Sequence, residues 1–220
     1  MIVRCEGVCG MGSKSIMKEK SYVIMKAASK EALELVTERS LKKQAPEHVK
    51  VHRLKKEQIQ AFVSLYNRCF IASPDPFCPL TIEEAKKLDT EGIFVAELWG
   101  TPSGFIACFV ENRGARPYGE ITGIGVLPHR RRKGVAASLI RAAADYFIGA
   151  GVDEIYCEVY EDNTPSKMLI STYGFREVGR RSFPVETPQG TSTETQLPGG
   201  KIMRRLGFRP RPGCESCRDI

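Results

Sequence analysis

No apolar run in this sequence approaches the length of a bilayer span. The longest are short stretches such as Gly104-Phe105-Ile106-Ala107-Cys108-Phe109-Val110, so no membrane-spanning helix is expected. The opening residues, Met1-Ile2-Val3-Arg4-Cys5-Glu6, lack the apolar core of a signal peptide and meet charge at once, which predicts a cytoplasmic protein with no membrane partner. Also missing is any RNP, KH or zinc-finger spelling, so nucleic acid is not the expected partner although the formal net charge is +7. That charge is unevenly spread. Bases exceed acids over the first sixty or so residues and again beyond Phe175, while acids slightly exceed bases between those limits, and no basic slab covers the middle of the chain.

The eight cysteines form no disulfide framework, and in a reducing compartment they default to thiols. Cys69, Cys78, Cys108 and Cys157 stand in apolar segments and read as small core residues. Cys5-x-x-x-Cys9 and Cys214-x-x-Cys217 have spacings that two ligands of one tetrahedral zinc could use, which would need the two ends to meet. The plainer reading is a pair of thiol-bearing tails, and no metal is assigned. With 220 residues, 42% hydrophobic and 27% charged, the chain has material for one domain with a proper core plus extensions.

What the sequence does hold is a strand, a basic turn and a helix in immediate succession. Apolar residues Ile121, Ile124 and Val126 lead to Pro128; His129, Arg130, Arg131, Arg132 and Lys133 follow; and Gly134 opens a segment in which Val135, Leu139, Ala143 and Phe147 recur every four residues. That spacing predicts one buried helical stripe, with Arg141 and Asp145 on the other face. The basic turn then lies at a helix N-terminus, where unpaired backbone N–H groups and the positive end of the macrodipole suit a phosphate, and a glycine permits close approach.

Arg131-x-x-Gly134-x-Ala136, placed directly after Val126-x-Pro128, resembles the acyl-coenzyme A pyrophosphate loop of the GNAT superfamily of N-acetyltransferases. Asn163-x-x-Ser166-x-x-Leu169 followed by Gly174-Phe175 resembles the second half of the same signature, in the expected order. The resemblance covers about residues 48–206. It implies an α/β (α+β) fold with a mixed, mostly antiparallel central sheet flanked by helices. In such a fold the strands ending near Val126 and Val159 splay apart, and acyl-CoA lies between them. Cofactor contacts are then implied at Ile124, Gly125, Val126, Arg131, Arg132, Lys133, Gly134, Val135 and Ala136. A backbone N–H near Val126 would face the acyl oxygen, and Asn163 would hold the pantetheine or a water.

The rest of the order agrees with that layout. Ser21–Met25 reads as a strand and Ser29–Leu41 as a helix with Ser29 as N-cap, a piece with no counterpart in the family core and so taken as an extension over residues 1–47. The acetyltransferase domain then runs over 48–206. It holds an edge strand Val49–Leu54, a helix Lys56–Phe70 and a proline-rich link, then a helix from Ile82 capped by Thr81. A hairpin through Trp99-Gly100-Thr101-Pro102-Ser103 precedes the central motif, and strands Phe175–Phe183 and Lys201–Leu206 come last. Residues 207–220 read as a flexible tail.

The implied chemistry is transfer of an acetyl group from acetyl-CoA, as co-substrate, to a primary amine of a protein or small molecule. Glu120 is the candidate base, because its distance before Arg131 matches that of the glutamate used by histone-type relatives; the plainer alternative is an ion pair with Arg113 or Arg116. Many relatives carry a thiolate-protonating tyrosine seven residues beyond the motif asparagine, and here that residue is Ile170. Tyr173, one helical turn further on, is the substitute candidate acid. Tyr66, Phe77 and Cys78 are implied acceptor contacts by resemblance alone. A module that holds acyl-CoA without turnover and a nucleic-acid-binding protein are the alternatives, and a homodimer is allowed for.

Overall fold

The computed structural model describes residues 18–42, 48–74, 79–113 and 116–185. Among the described residues, seven strands form one sheet in the order β2-β3-β4-β5-β6-β1-β7. They are β1 Lys18–Ala28, β2 Val49–Arg53, β3 Ile93–Leu98, β4 Thr101–Arg113, β5 Arg116–Val126, β6 Glu154–Tyr160 and β7 Arg176–Val185. Neighbours pair antiparallel except β5 with β6. The helices are α1 Ser29–Lys42, α2 Ile59–Phe70, a single turn α3 Ile82–Ala85, α4 Val135–Gly149 and α5 Thr164–Ser171. This is the mixed, mostly antiparallel sheet flanked by helices that the resemblance implies.

Each face of the sheet buries its own apolar cluster. On one face, the predicted stripe Val135, Leu139, Ala143 and Phe147 is at most 1% exposed and meets Val36 of α1, Ile170 of α5 and the inward residues of the strands. At roughly 1.5–3 kcal/mol for each large side chain removed from water, that stripe is what seats α4. On the other face, Phe62, Val63, Tyr66 and Cys69 of α2 cover Val95, Phe105 and Ala107. Thr81 caps α3 as expected: Glu84 N–H donates to Thr81 Oγ1 at 3.3 Å, and Thr81 N–H donates to Glu84 Oε2 at 2.8 Å.

Three features differ from the expectations above. The strand-helix piece placed outside the core is built into it, since β1 lies between β6 and β7 and pairs with both. Its alternation of buried Val23, Met25 and Ala27 belongs to a half-buried interior strand, and alternation alone does not tell an appended strand from an interior one. Ser29 is not an N-cap. It is the first residue of α1, 1% exposed, and its hydroxyl is buried with no partner. Lastly, β5 carries a bulge opposite Ala107/Cys108, so Ile121 and Ile124, an odd number of residues apart, both pack on the α4 side. The expected strand Lys201–Leu206 lies outside the described residues, as do Cys5, Cys9, Cys214 and Cys217.

Candidate active site

The parallel pairing of β5 with β6 runs only through Gly119↔Ile155, Glu120↔Tyr156 and Ile121↔Cys157. Both strands continue, β5 to Val126 and β6 to Tyr160, so they part beyond the third pair and leave a wedge. Backbone direction in that wedge follows from one hydrogen bond. Leu127 N–H donates to Ser103 C=O at 3.0 Å, which makes Ser103 and Leu127 a bonded antiparallel pair. Bonded and non-bonded pairs alternate, so Gly104–Val126 and Ile106–Ile124 are non-bonded. The N–H and C=O groups of Ile124 and Val126 therefore point away from β4, into the gap. Gly125 between them faces α2, where an added Cβ would lie 2.7 Å from the Phe105 ring and 2.8 Å from Cys69 Cβ.

The basic turn closes the wide end of the wedge. Residues Pro128–Arg130 form a 3₁₀ turn, and two residues follow in the left-handed region, Arg132 at φ 63° and Gly134 at φ 80°. Gly134 precedes α4 with no side-chain cap, so the first-turn N–H groups are left for an external acceptor. Arg132 has no such conformational freedom and holds that φ at a cost of about 1–2 kcal/mol. Arg131 Nε donates to the C=O of Val126 at 3.2 Å, tying the turn to the end of β5. Among the described residues, Arg130 Nε is buried with no acceptor. A polyanion fits this arrangement: uncapped helix amides, an unsatisfied guanidinium donor and a run of cations converge on one turn.

Asn163 sits across the gap, at the start of α5. It is 5% exposed; its Oδ1 accepts from Ser166 N–H at 3.1 Å and its Nδ2 donates to Ser73 Oγ at 3.4 Å. It thus caps α5 and reaches the segment after α2. Glu120 lies at the narrow end of the wedge, one residue before β5 and β6 separate. Gly119 beside it faces α4, since a Cβ there would strike the Phe147 ring at 2.6 Å, so Tyr118 and Glu120 face the opposite side. There they line an open concavity of about 800 Å³ with Tyr156, Glu158, Val178 and Arg181. Its wall carries Glu120, Asp153, Glu154 and Glu158 against Arg116 and Arg181, with Arg181 on Glu158 at 3.1 Å and Arg116 reaching Asp153 at 3.9 Å.

The structure does not bring Tyr173 into this site. Its ring is 6% exposed in the α4-side core, 5.8 Å from the Arg39 guanidinium, and burial pushes its hydroxyl pKa up. Ile170 is buried in the same layer. Tyr66 is buried too, 4.7 Å from Phe70 and 5.4 Å from Phe105 between ring centroids, in a packing role; Phe77 and Cys78 fall outside the described residues. Cys69 beneath Gly125 is no nucleophile, because burial pushes its thiol up to about 12. Among the described residues, no group of three or more His, Cys, Asp or Glu side chains could hold a metal, and no helix is long and apolar enough to cross a membrane.

Residues 59–175, more than half of the chain, match the Acetyltransferase (GNAT) family. The chain belongs to the GNAT family. Over 125 residues it is 30% identical to mycothiol acetyltransferase from Thermobispora bispora, covering 53% of this chain and 42% of that protein. Over 138 residues it is 26% identical to aminoglycoside N(6′)-acetyltransferase type 1 of Salmonella enteritidis, covering 60% and 95%. Among solved structures, aminoglycoside N-acetyltransferase AAC(6′)-Iy in complex with CoA is similar at TM-score 0.50 and 25% identity, over 60% of this chain and 90% of that one. The chain spans only 26% and 42% of the first two curated relatives it matches.

Sequence reasoning missed two features of this GNAT site. The odd step from Ile121 to Ile124 is a visible break in alternation that signals the bulge. A tryptophan before Gly100 in a two-residue turn, where asparagine is favoured, marks a residue kept there against local preference; Trp99 turns out to touch the basic turn, with Lys133 Nζ 5.3 Å from its ring centroid.

Proposed function

We propose that this GNAT chain is an acyl-CoA-dependent N-acyltransferase of the cytoplasm, with acetyl-CoA as donor and a primary amine as acceptor. The observation that carries the reading is the wedge: backbone groups of Ile124 and Val126 point away from β4 and open onto it, the Val126 C=O held by Arg131, and an uncapped helix behind a cationic turn stands at its wide end. The donor, when bound, supplies a thioester-activated acyl group and leaves as a thiol. Gly134, Val135 and Ala136 would offer backbone N–H groups to its pyrophosphate, with Arg131, Arg132 and Lys133 adding charge. Ile124 and Val126 would offer strand-like hydrogen bonds to its amides, as an open strand edge does for an extended peptide. The Val126 N–H is also the natural donor to the acyl oxygen. Asn163 already orders the facing rim.

On the acceptor side, an alkylamine reaches neutral pH protonated and must lose a proton before it attacks. Glu120 is the group we assign to that step, through water, because it lines the acidic concavity and stands one residue from the wedge. Of the four carboxylates against two arginines in that wall, Glu154 is also held by Lys26 at 2.9 Å, and the acidic excess that is left favours a cationic acceptor. No side chain is assigned to protonate the leaving thiol, since Tyr173 is buried elsewhere and water suffices for a thiol of ordinary pKa.

The test is thiol release from acetyl-CoA over a panel of peptides with free N-termini, lysine peptides, polyamines and aminoglycosides, with Glu120→Gln beside the wild type. Release with at least one amine is expected. The Gln variant should keep acetyl-CoA affinity while turnover near neutral pH falls by roughly two to four orders of magnitude. Part of that loss should return at high pH, where the acceptor deprotonates unaided. Wild-type turnover in Glu120→Gln at every pH would remove Glu120 from the role, and CoA binding with no release across the panel would favour the module that binds without turnover.

A further inference from the structure

We propose that Trp99 is a platform for the nucleotide end of the acyl donor: the open part of its indole stacks on the adenine of coenzyme A, and Arg130 and Lys133, drawn to the same ring, meet the phosphates. This rests on the acyl-CoA reading and goes beyond it by assigning a binding residue outside the loop signature.

Local conformation disfavours tryptophan at position 99. Leu98 pairs with Thr101, so Trp99 and Gly100 form a two-residue hairpin turn, and their φ values of 53° and 72° are those of type I′. That turn favours asparagine followed by glycine; a bulky residue there holds a left-handed backbone at a cost of roughly 1–3 kcal/mol. The residue is nonetheless 58% exposed, so more than half of it is open to a ligand. What the ring does is gather cations. Lys133 Nζ lies 5.3 Å and Arg130 Cζ 6.0 Å from its centroid, with the His48 ring at 5.8 Å.

Lys133 immediately precedes Gly134, so the ring stands one lysine side chain from the uncapped start of α4. In the turn before it, Arg130 Nε is buried with no acceptor among the described residues. A donor whose pyrophosphate sits on the α4 amides carries an aromatic base a short distance away, and an exposed indole flanked by cations is the surface that takes a base with its phosphates. Strain, exposure and the two cations thus have one common explanation in a nucleotide.

The chain has a single tryptophan, so intrinsic fluorescence reads this side chain alone. Coenzyme A binding would be followed by calorimetry and by tryptophan emission, beside adenosine 3′,5′-bisphosphate and pantetheine as separate probes. Emission should be quenched by the first two and unmoved by pantetheine. Trp99→Asn places the preferred Asn-Gly pair in the turn, so its melting temperature should equal or exceed that of the wild type, while its Kd for coenzyme A should rise about five- to a hundredfold. Trp99→Phe should keep most of the affinity. Binding with unmoved emission, or wild-type affinity in Trp99→Asn, overturns the platform and leaves the acyl-CoA reading standing; no calorimetric binding by the wild type overturns both.

Discussion

At the scale of single residues, position in the sheet decides chemistry more than residue type does. Cys69 and Glu120 both lie close to the wedge, yet the thiol is walled in by α2 and β4 while the carboxylate opens onto a concavity. Burial pushes Cys69 from an ordinary value to about 12, against the opposing pull of Arg131 and Arg68. The thiolate fraction at neutral pH is then roughly a thousandfold below that of a free cysteine. Held neutral in the fold, the group contributes stability below its unfolded pKa and loses it as pH climbs through the folded one. We expect iodoacetamide at neutral pH to spare Cys69 in the native protein and label it in urea, as read by peptide mass mapping; equal rates in both would contradict the burial. Counting back from the loop singles out Glu120, and the structure sets it in the lining of the concavity. Helical spacing says which residues share a stripe, not which side of the helix the sheet will take, and the Tyr173 ring lies in the α4-side core. Trp99 could have been found from its neighbour Gly100.

At the scale of elements, the site is made by what β5 does after Ile121. The bulge turns the strand by one residue, after which Gly123 and Gly125 face α2 and Ile124 and Val126 face α4. The same strand thus presents Glu120 to one side of the sheet and an apolar seat for the helix just beyond. Loop and helix were legible in the sequence because both follow local rules: a period of four in α4, a glycine where φ must be positive, and a capping residue at α3. Pairing partners are set by distant chain, and nothing local foretold where β5 and β6 would part. Gly134→Asp tests the loop as an element. A side chain at φ 80° strains the turn, and a carboxylate at the α4 N-terminus repels the phosphates that the site would take. Calorimetry should show acetyl-CoA binding lost while far-ultraviolet circular dichroism is kept; unchanged affinity would move the donor elsewhere.

At the scale of the whole molecule, β1 matters most. Its two neighbours, β6 and β7, do not pair with each other in the sheet, so without β1 each would expose a full row of backbone donors and acceptors. A chain beginning at residue 48, which keeps every signature residue of the family, should therefore fail to melt cooperatively and should aggregate. A soluble fragment with a sharp thermal transition would show β1 to be dispensable. The order in which the chain is made gives this arrangement a further meaning. Translation delivers β1 first, but the slot it fills does not exist until residues 154–160 and 176–185 have followed it out of the ribosome. The strand that completes the sheet has to wait, paired with nothing permanent, for most of the described chain to appear. Closure of the sheet is then a late, long-range event, and the wedge, whose far wall is β6, takes shape only once β6 has followed β5 out.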